Sequence, residues 1–187
     1  MEPFLFSTAA VAIAEIGDKT QLLALLLAAR FRKPAPILLG ILVATLLNHA
    51  IAAWFGHWLA AAVSPQVLRW VVAGSFLAVA LWMLKPDALD DSTALPARSA
   101  FLATLVAFFL AEMGDKTQVA TVLLAARYDA LVQVIAGTTA GMLIANVPVV
   151  LLGARFAAKL PLKAARIASA VLFTALAVMA AWHGVAM

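Results

Sequence analysis

Two short strings in this 187-residue chain carry ionisable side chains inside otherwise apolar surroundings. Residues 14–21 read AEIGDKTQ and residues 111–118 read AEMGDKTQ. The first supplies Glu15, Asp18, Lys19, Thr20 and Gln21; the second supplies Glu112, Asp115, Lys116, Thr117 and Gln118. Carboxylates, a hydroxyl and a carboxamide form the oxygen set preferred by hard cations such as Ca²⁺, Mg²⁺ and Mn²⁺. The chain has no cysteine, so disulfides, zinc–thiolate sites and iron–sulfur clusters are excluded. A metal bound here is held by oxygen, or at most by one of three histidines. If the two strings meet, four carboxylates face two lysines, a formal charge of −2. One divalent cation neutralises that, and so do two protons, which suggests exchange of one for the other at a shared site.

Helical spacing adds detail. On a continuous helix Glu15 and Asp18 project from one face, and so do Asp18 and Gln21. Lys19, four residues beyond Glu15, can lean on its carboxylate, whereas Thr20 points away unless the helix opens. Gly17 permits such an opening, and it lets another helix or an ion approach the backbone.

The elements that position these strings belong to a membrane protein. The chain is 66% hydrophobic and 12% charged, against about 25% charged in soluble domains. Its net charge of +4 does not point to nucleic acid, because the basic residues lie in short gaps between apolar runs. Runs long enough to span a bilayer, about 20 residues, cover 4–29, 35–56, 67–84, 99–126, 130–153 and 165–183. Prolines 34, 36, 65, 86, 96 and 161 mark the gaps, and Pro148 alone falls inside a span, where it predicts a kink. The N-terminus lacks the positive region of a signal peptide and reads as the first membrane helix. Both strings then fall near the bilayer centre, where an ionisable group costs about 2.5–3.5 kcal/mol even on lenient scales.

The strings are copies of each other, 97 residues apart. The same offset maps Arg30 onto Arg127, Gly40 onto Gly137, Gly56 onto Gly153 and Phe76 onto Phe173. Three spans per copy is an odd number, so the second copy enters from the opposite side. The expected fold is therefore an all-α integral membrane protein, six transmembrane helices as two inverted three-helix repeats. Its parts are a first repeat over 1–85, a cytoplasmic linker over 86–98 and a second repeat over 99–187. In that architecture the binding site lies near the midplane between repeats. Loops one, three and five hold nine lysines and arginines (Arg30, Arg32, Lys33, Lys85, Arg98, Arg155, Lys159, Lys163, Arg166). Loops two and four hold only Arg69 and Arg127. That bias places the odd loops in the cytoplasm of an inner (plasma) membrane protein and both termini outside. Trp54, Trp58, Trp70, Trp82 and Trp182 then read as an interfacial belt.

The same residues admit other readings. Each string could be an internally paired cluster that only holds helices together. An exporter of small organic solutes such as an amino acid fits the same scaffold. An intramembrane aspartyl protease is suggested by Gly-Asp, but each aspartate has a lysine beside it. Asn48 and Asn146 are weaker site candidates, equally well explained as interhelical hydrogen bonds. His49, in repeat register with Asn146, could be a ligand, a proton relay or a packing residue, while His57 and His183 read as interfacial. Met113 could offer a soft contact to manganese, but Ile16 at the matching position favours simple packing.

Through its two E-x-G-D-K-T strings the chain resembles the Gdt-type small cation exchanger family, whose hallmark is two such motifs in a six-span duplicated fold. The match is Glu15-Ile16-Gly17-Asp18-Lys19-Thr20 and Glu112-Met113-Gly114-Asp115-Lys116-Thr117, and it extends over essentially the whole chain. The resemblance implies exchange of Mn²⁺ or Ca²⁺ for H⁺, with manganese export in bacterial members. It assigns Glu15, Asp18, Glu112 and Asp115 to the cation. Thr20, Gln21, Thr117 and Gln118 become neighbouring ligands or gates, with Lys19 and Lys116 beside them. No permanently bound cofactor is implied; the metal is cargo. The implied partners are divalent cations, protons and the lipid bilayer, not nucleic acid. A homodimer is compatible with the sequence, but no feature demands it.

Overall fold

The computed structural model describes residues 1–85, 99–128, 130–153 and 161–183. These residues form eight helices and no strand. In chain order they are α1 (Glu2–Ala14), α2 (Lys19–Phe31), α3 (Pro34–Ala62), α4 (Pro65–Met83), α5 (Ala100–Glu112), α6 (Lys116–Arg127), α7 (Leu131–Leu152) and α8 (Leu162–His183). The expected linker over 86–98, with Arg98, lies outside the described residues, as do Arg155 and Lys159.

Proline opens α3 and α4 in the first turn, where its missing N–H costs nothing. Ser64 and Ser99 cap α4 and α5 through their side-chain oxygens. Helix α7 continues through Pro148 to Leu152. Among the described residues four helices are long and apolar enough to cross a membrane: α3, α4, α7 and α8. The stretches read as first and fourth spans are not continuous helices. Each is two helices of 12 or 13 residues, α1 with α2 and α5 with α6, interrupted at the motif. Five tryptophans, 54, 58, 70, 82 and 182, all sit on the exposed surface of the helical assembly.

Packing pairs each short helix with a long helix of the other half. Helix α1 lies on α7 and α5 lies on α3; α2 touches α7 and α6 touches α3; α3 meets α7, and α4 meets α8. Glycines permit the close crossings. A methyl on Gly40 would meet the Phe101 carbonyl oxygen at 2.9 Å and Thr104 Cβ at 2.7 Å. A methyl on Gly137 would meet the Phe4 carbonyl oxygen at 2.5 Å and Ser7 Cβ at 3.0 Å. Those two contact sets are related residue for residue by the 97-residue offset. Phe76 and Phe173, another offset pair, pack against each other as tilted rings with centroids 5.9 Å apart where α4 meets α8.

Other offset-related positions depart from this correspondence: Gly56 lies against the Val122 backbone, whereas a methyl on Gly153 would meet nothing within 4 Å. Helix α8 leans on α1, with Ser169 Oγ donating to the Ile13 carbonyl at 3.1 Å. Leu162, at its start, reaches to 2.7 Å from where a Gly17 methyl would stand. Helix α4 packs instead on α6, and a methyl on Gly114 would meet nothing within 4 Å.

Candidate functional site

Both motifs are built on the same backbone device. Asp18 N–H donates to the Glu15 carbonyl and Asp115 N–H to the Glu112 carbonyl, each at 3.1 Å, closing four-residue turns. In the second turn Met113 has φ −65° and ψ 119°, followed by Gly114 at φ +73°. Those angles make a type II turn, whose third residue needs a positive φ and hence glycine. Gly17 at φ +81° occupies the same place in the first turn. The helix is therefore open between each glutamate and aspartate, and the expected shared helical face does not exist. Glu15 and Glu112 end one helix, while Asp18 and Asp115 stand at the N-cap of the next.

An interrupted helix in an apolar interior must satisfy its freed backbone groups internally. Gln21 and Gln118 do this. Gln21 Oε1 accepts from Gly17 N–H at 2.8 Å, and Gln118 Oε1 accepts from Gly114 N–H at 2.6 Å. Their amide nitrogens then cross to the other half: Gln21 Nε2 donates to the Ala145 carbonyl at 2.9 Å, and Gln118 Nε2 to Asn48 Oδ1 at 3.4 Å. Positions 48 and 145 are themselves 97 apart. The two glutamines, read from sequence as neighbouring ligands or gates, each bridge a turn to the opposite half.

All four motif carboxylates are buried, at most 2% exposed. One oxygen of each is engaged. Thr20 Oγ1 donates to Glu15 Oε2 at 2.5 Å, and Thr117 Oγ1 donates to Glu112 Oε2 at 3.0 Å. Thr20 can reach back because the turn is open. Lys19 does not lean on Glu15: its Nζ lies 3.0 Å from Asp115 Oδ1, and Lys116 Nζ lies 2.6 Å from Asp18 Oδ1. The ion pairs are crossed, each lysine serving the other repeat. Among the described residues the second oxygens, Glu15 Oε1, Asp18 Oδ2, Glu112 Oε1 and Asp115 Oδ2, have no hydrogen-bond partner. Buried oxygens left this way cost free energy unless a proton or a cation meets them. Glu15, Glu112 and Asp115 each offer an oxygen, all within 4.8 Å of one another. An ion with metal–oxygen distances of about 2.3–2.6 Å separates opposite ligands by about that much, so three such oxygens can share one ion. Asp18 is not one of that trio.

The remaining sequence candidates divide. Asn48 is buried, and its Nδ2 donates to the Phe109 carbonyl at 3.0 Å, which makes it an interhelical bond as well as the anchor of Gln118. Asn146 donates to the Met142 carbonyl and sulfur within its own helix at 3.1 and 3.0 Å. His49 is fully buried, with neither ring nitrogen hydrogen-bonded among the described residues. Met113, expected to pack, is 55% exposed because the turn swings it outward. The crossed pairing was not visible in sequence. Its only trace is that each lysine follows an aspartate which, beyond an opened turn, faces the other copy.

A multi-helix membrane protein with a buried acidic cluster between two copies of one motif is the class these features define. A family description, divalent cation/proton antiporter GDT1, matches residues 3–91 and 100–187. The chain belongs to that family, which is one of transporters and not of enzymes. A protein of Vibrio cholerae serotype O1 named "Putative manganese exporter" is 54% identical over 183 residues, covering 97% of this chain and 92% of that protein. No solved structure matches. Family membership sets aside the protease reading, and the ion pairing of both aspartates with lysines agrees with that.

Proposed function

We propose that this divalent cation/proton antiporter carries Mn²⁺ out of the cytoplasm, accepts Ca²⁺, and binds its cargo at Glu15, Glu112 and Asp115, with Asp18 completing the charge. The observation that carries the assignment is the trio of buried carboxylates from both motifs, each with an oxygen left unpartnered. Ligand carboxylates must be deprotonated, so protons and metal compete for the same oxygens. Cargo binds when protons leave and departs when they return, which couples the two fluxes. Four carboxylates against two lysines leave −2, matched by one M²⁺ or two H⁺. The close relative's name supports manganese.

The architecture we propose is six spans in two inverted repeats, 1–85 and 99–187, joined by a cytoplasmic segment over 86–98. The interrupted pairs α1–α2 and α5–α6 then each count as one discontinuous span, a feature that marks substrate sites in transporters of this kind. Support comes from the offset-related contacts of Gly40 and Gly137 and from the reciprocal glutamine bridges. The lysine and arginine bias supports an inner-membrane protein with both termini outside. Alternating access is carried by rocking of the packed α4–α8 pair against the remainder. In this structure Leu162 covers the first turn, while the offset-related Pro65 leaves the second turn free.

The test is uptake of Mn²⁺, Ca²⁺ and a panel of amino acids into proteoliposomes under an imposed pH gradient. Gradient-driven flux of Mn²⁺ exceeding that of Ca²⁺, with none of the amino acids, is the expected result. Amino-acid flux without metal flux would replace this reading with the organic-solute exporter.

A further inference from the structure

The two crossed ion pairs are alike in sequence and unlike in setting, and the difference singles out one lysine. Lys19 holds Asp115, a member of the three-acid group; Lys116 holds Asp18, which is outside it. The Lys19 side chain is 25% exposed, whereas that of Lys116 is 4% exposed. Lys19 thus reaches in from a partly open position and sits on a carboxylate that cargo also needs. An ammonium on a flexible four-carbon stem is a compact point charge with little directional demand. Beside a cluster of carboxylates it is, chemically, a tethered competitor for a metal ion.

We propose that Lys19 is the counter-cation of the unloaded carrier: its ammonium stands on Asp115 in place of cargo, is displaced when a divalent cation binds, and returns to help expel it. Lys116 has a different task, fixing Asp18 and tying the halves together. The assignment rests on the reading of the motif acids as the cation site. Its physical sense lies in two costs. Buried carboxylates stripped of any cation are expensive, and a carrier that binds cargo too firmly cannot release it. A tethered ammonium lowers the first cost and caps the affinity.

The experiment measures Mn²⁺ binding to the purified full-length protein by calorimetry at one fixed pH, together with Mn²⁺ flux in proteoliposomes. Lys19→Gln is expected to lower Kd by about tenfold, the worth of one charge-assisted hydrogen bond, and to lower the maximal flux because release slows. Lys19→Arg keeps a cation on Asp115, held bidentately and more firmly, so it is expected to raise Kd. This second variant also retains the ion pair, which guards against loss of folding. Lys116→Gln is expected to lose thermal stability without a comparable fall in Kd. Equal tightening in Lys19→Gln and Lys116→Gln would overturn the proposal in favour of a general field effect. So would unchanged or lowered Kd in Lys19→Arg. No Mn²⁺ binding by folded wild-type protein would overturn the reading of the site and this assignment with it. Wild-type binding with no tightening in Lys19→Gln would overturn the assignment alone.

Discussion

Each motif carboxylate divides its labour between two oxygens, one tied to the protein and one left over. On the two glutamates the tied oxygen orients the other. Thr20 and Thr117 hold the glutamates through hydroxyl donors, and partners of this outer kind are worth about 10–100-fold in metal affinity when removed. Thr20→Val and Thr117→Val are therefore expected to weaken Mn²⁺ binding by at least tenfold while the protein stays folded, checked by binding calorimetry alongside a thermal melt. Unchanged affinity in both would mean that the glutamates are oriented by something else. Competition between protons and metal fixes the direction of the pH dependence. Apparent Mn²⁺ affinity is expected to rise as pH rises, because deprotonation frees the ligand oxygens. A binding isotherm insensitive to pH would detach the metal from the carboxylates. The residue types and their charge balance were legible in the sequence. Their partners were not, since helical spacing paired Lys19 with Glu15, whereas the folded chain pairs it with Asp115.

At the scale of elements, the motif is first a turn and only then, on the proposed reading, a set of ligands. Glu-x-Gly-Asp closes a four-residue turn with its glycine at positive φ, which halts one helix and starts the next, with the following glutamine satisfying the glycine N–H. Gly114→Ala meets no neighbour but must hold φ near +73°, a strain of about 1–3 kcal/mol. Gly17→Ala carries the same strain and also meets Leu162. Gly137→Ala meets backbone at 2.5 Å, so it is expected to cost about 1–3 kcal/mol by overpacking. Gly74→Ala, with nothing within 4 Å, is expected to be neutral or slightly stabilising. A thermal-stability series on the four variants checks this order; Gly137→Ala as stable as Gly74→Ala would contradict the crossing of α7 over α1. Apolar run length located each described helix, and glycine flagged the possible opening at residue 17. It could not reveal that the opening is fixed, because a continuous apolar run reads the same whether or not a turn interrupts it. The signal was present in the order of residues, a glycine third in a four-residue turn ending in aspartate, a good N-cap.

At the scale of the whole molecule, the duplication was the most legible feature, and the departure from it was the least. The 97-residue offset foretold that Gly40 and Gly137 would play matching parts, and their contacts match. No sequence pattern foretold that α8 would lean on α1 while α4 leans on α6, because two copies of one pattern carry no record of which is tilted. That asymmetry supports a structure open on the side of the second turn. The chain lacks cysteine, so single cysteines report cleanly. Met113→Cys is expected to react with a membrane-impermeant thiol reagent added outside, and Ile16→Cys to react from inside only as the carrier turns over. Equal labelling of both from one side would contradict opposite access. The claim on which all of this depends is that the two motifs form one cation pathway. The most direct test is pH-gradient-driven Mn²⁺ flux in proteoliposomes, comparing wild type with Asp18→Asn and Asp115→Asn. The account predicts flux in wild type and its loss to background in either variant, since each acid serves a single site shared by both repeats. Full flux in one variant would show that its motif lies outside the pathway and would contradict the shared site.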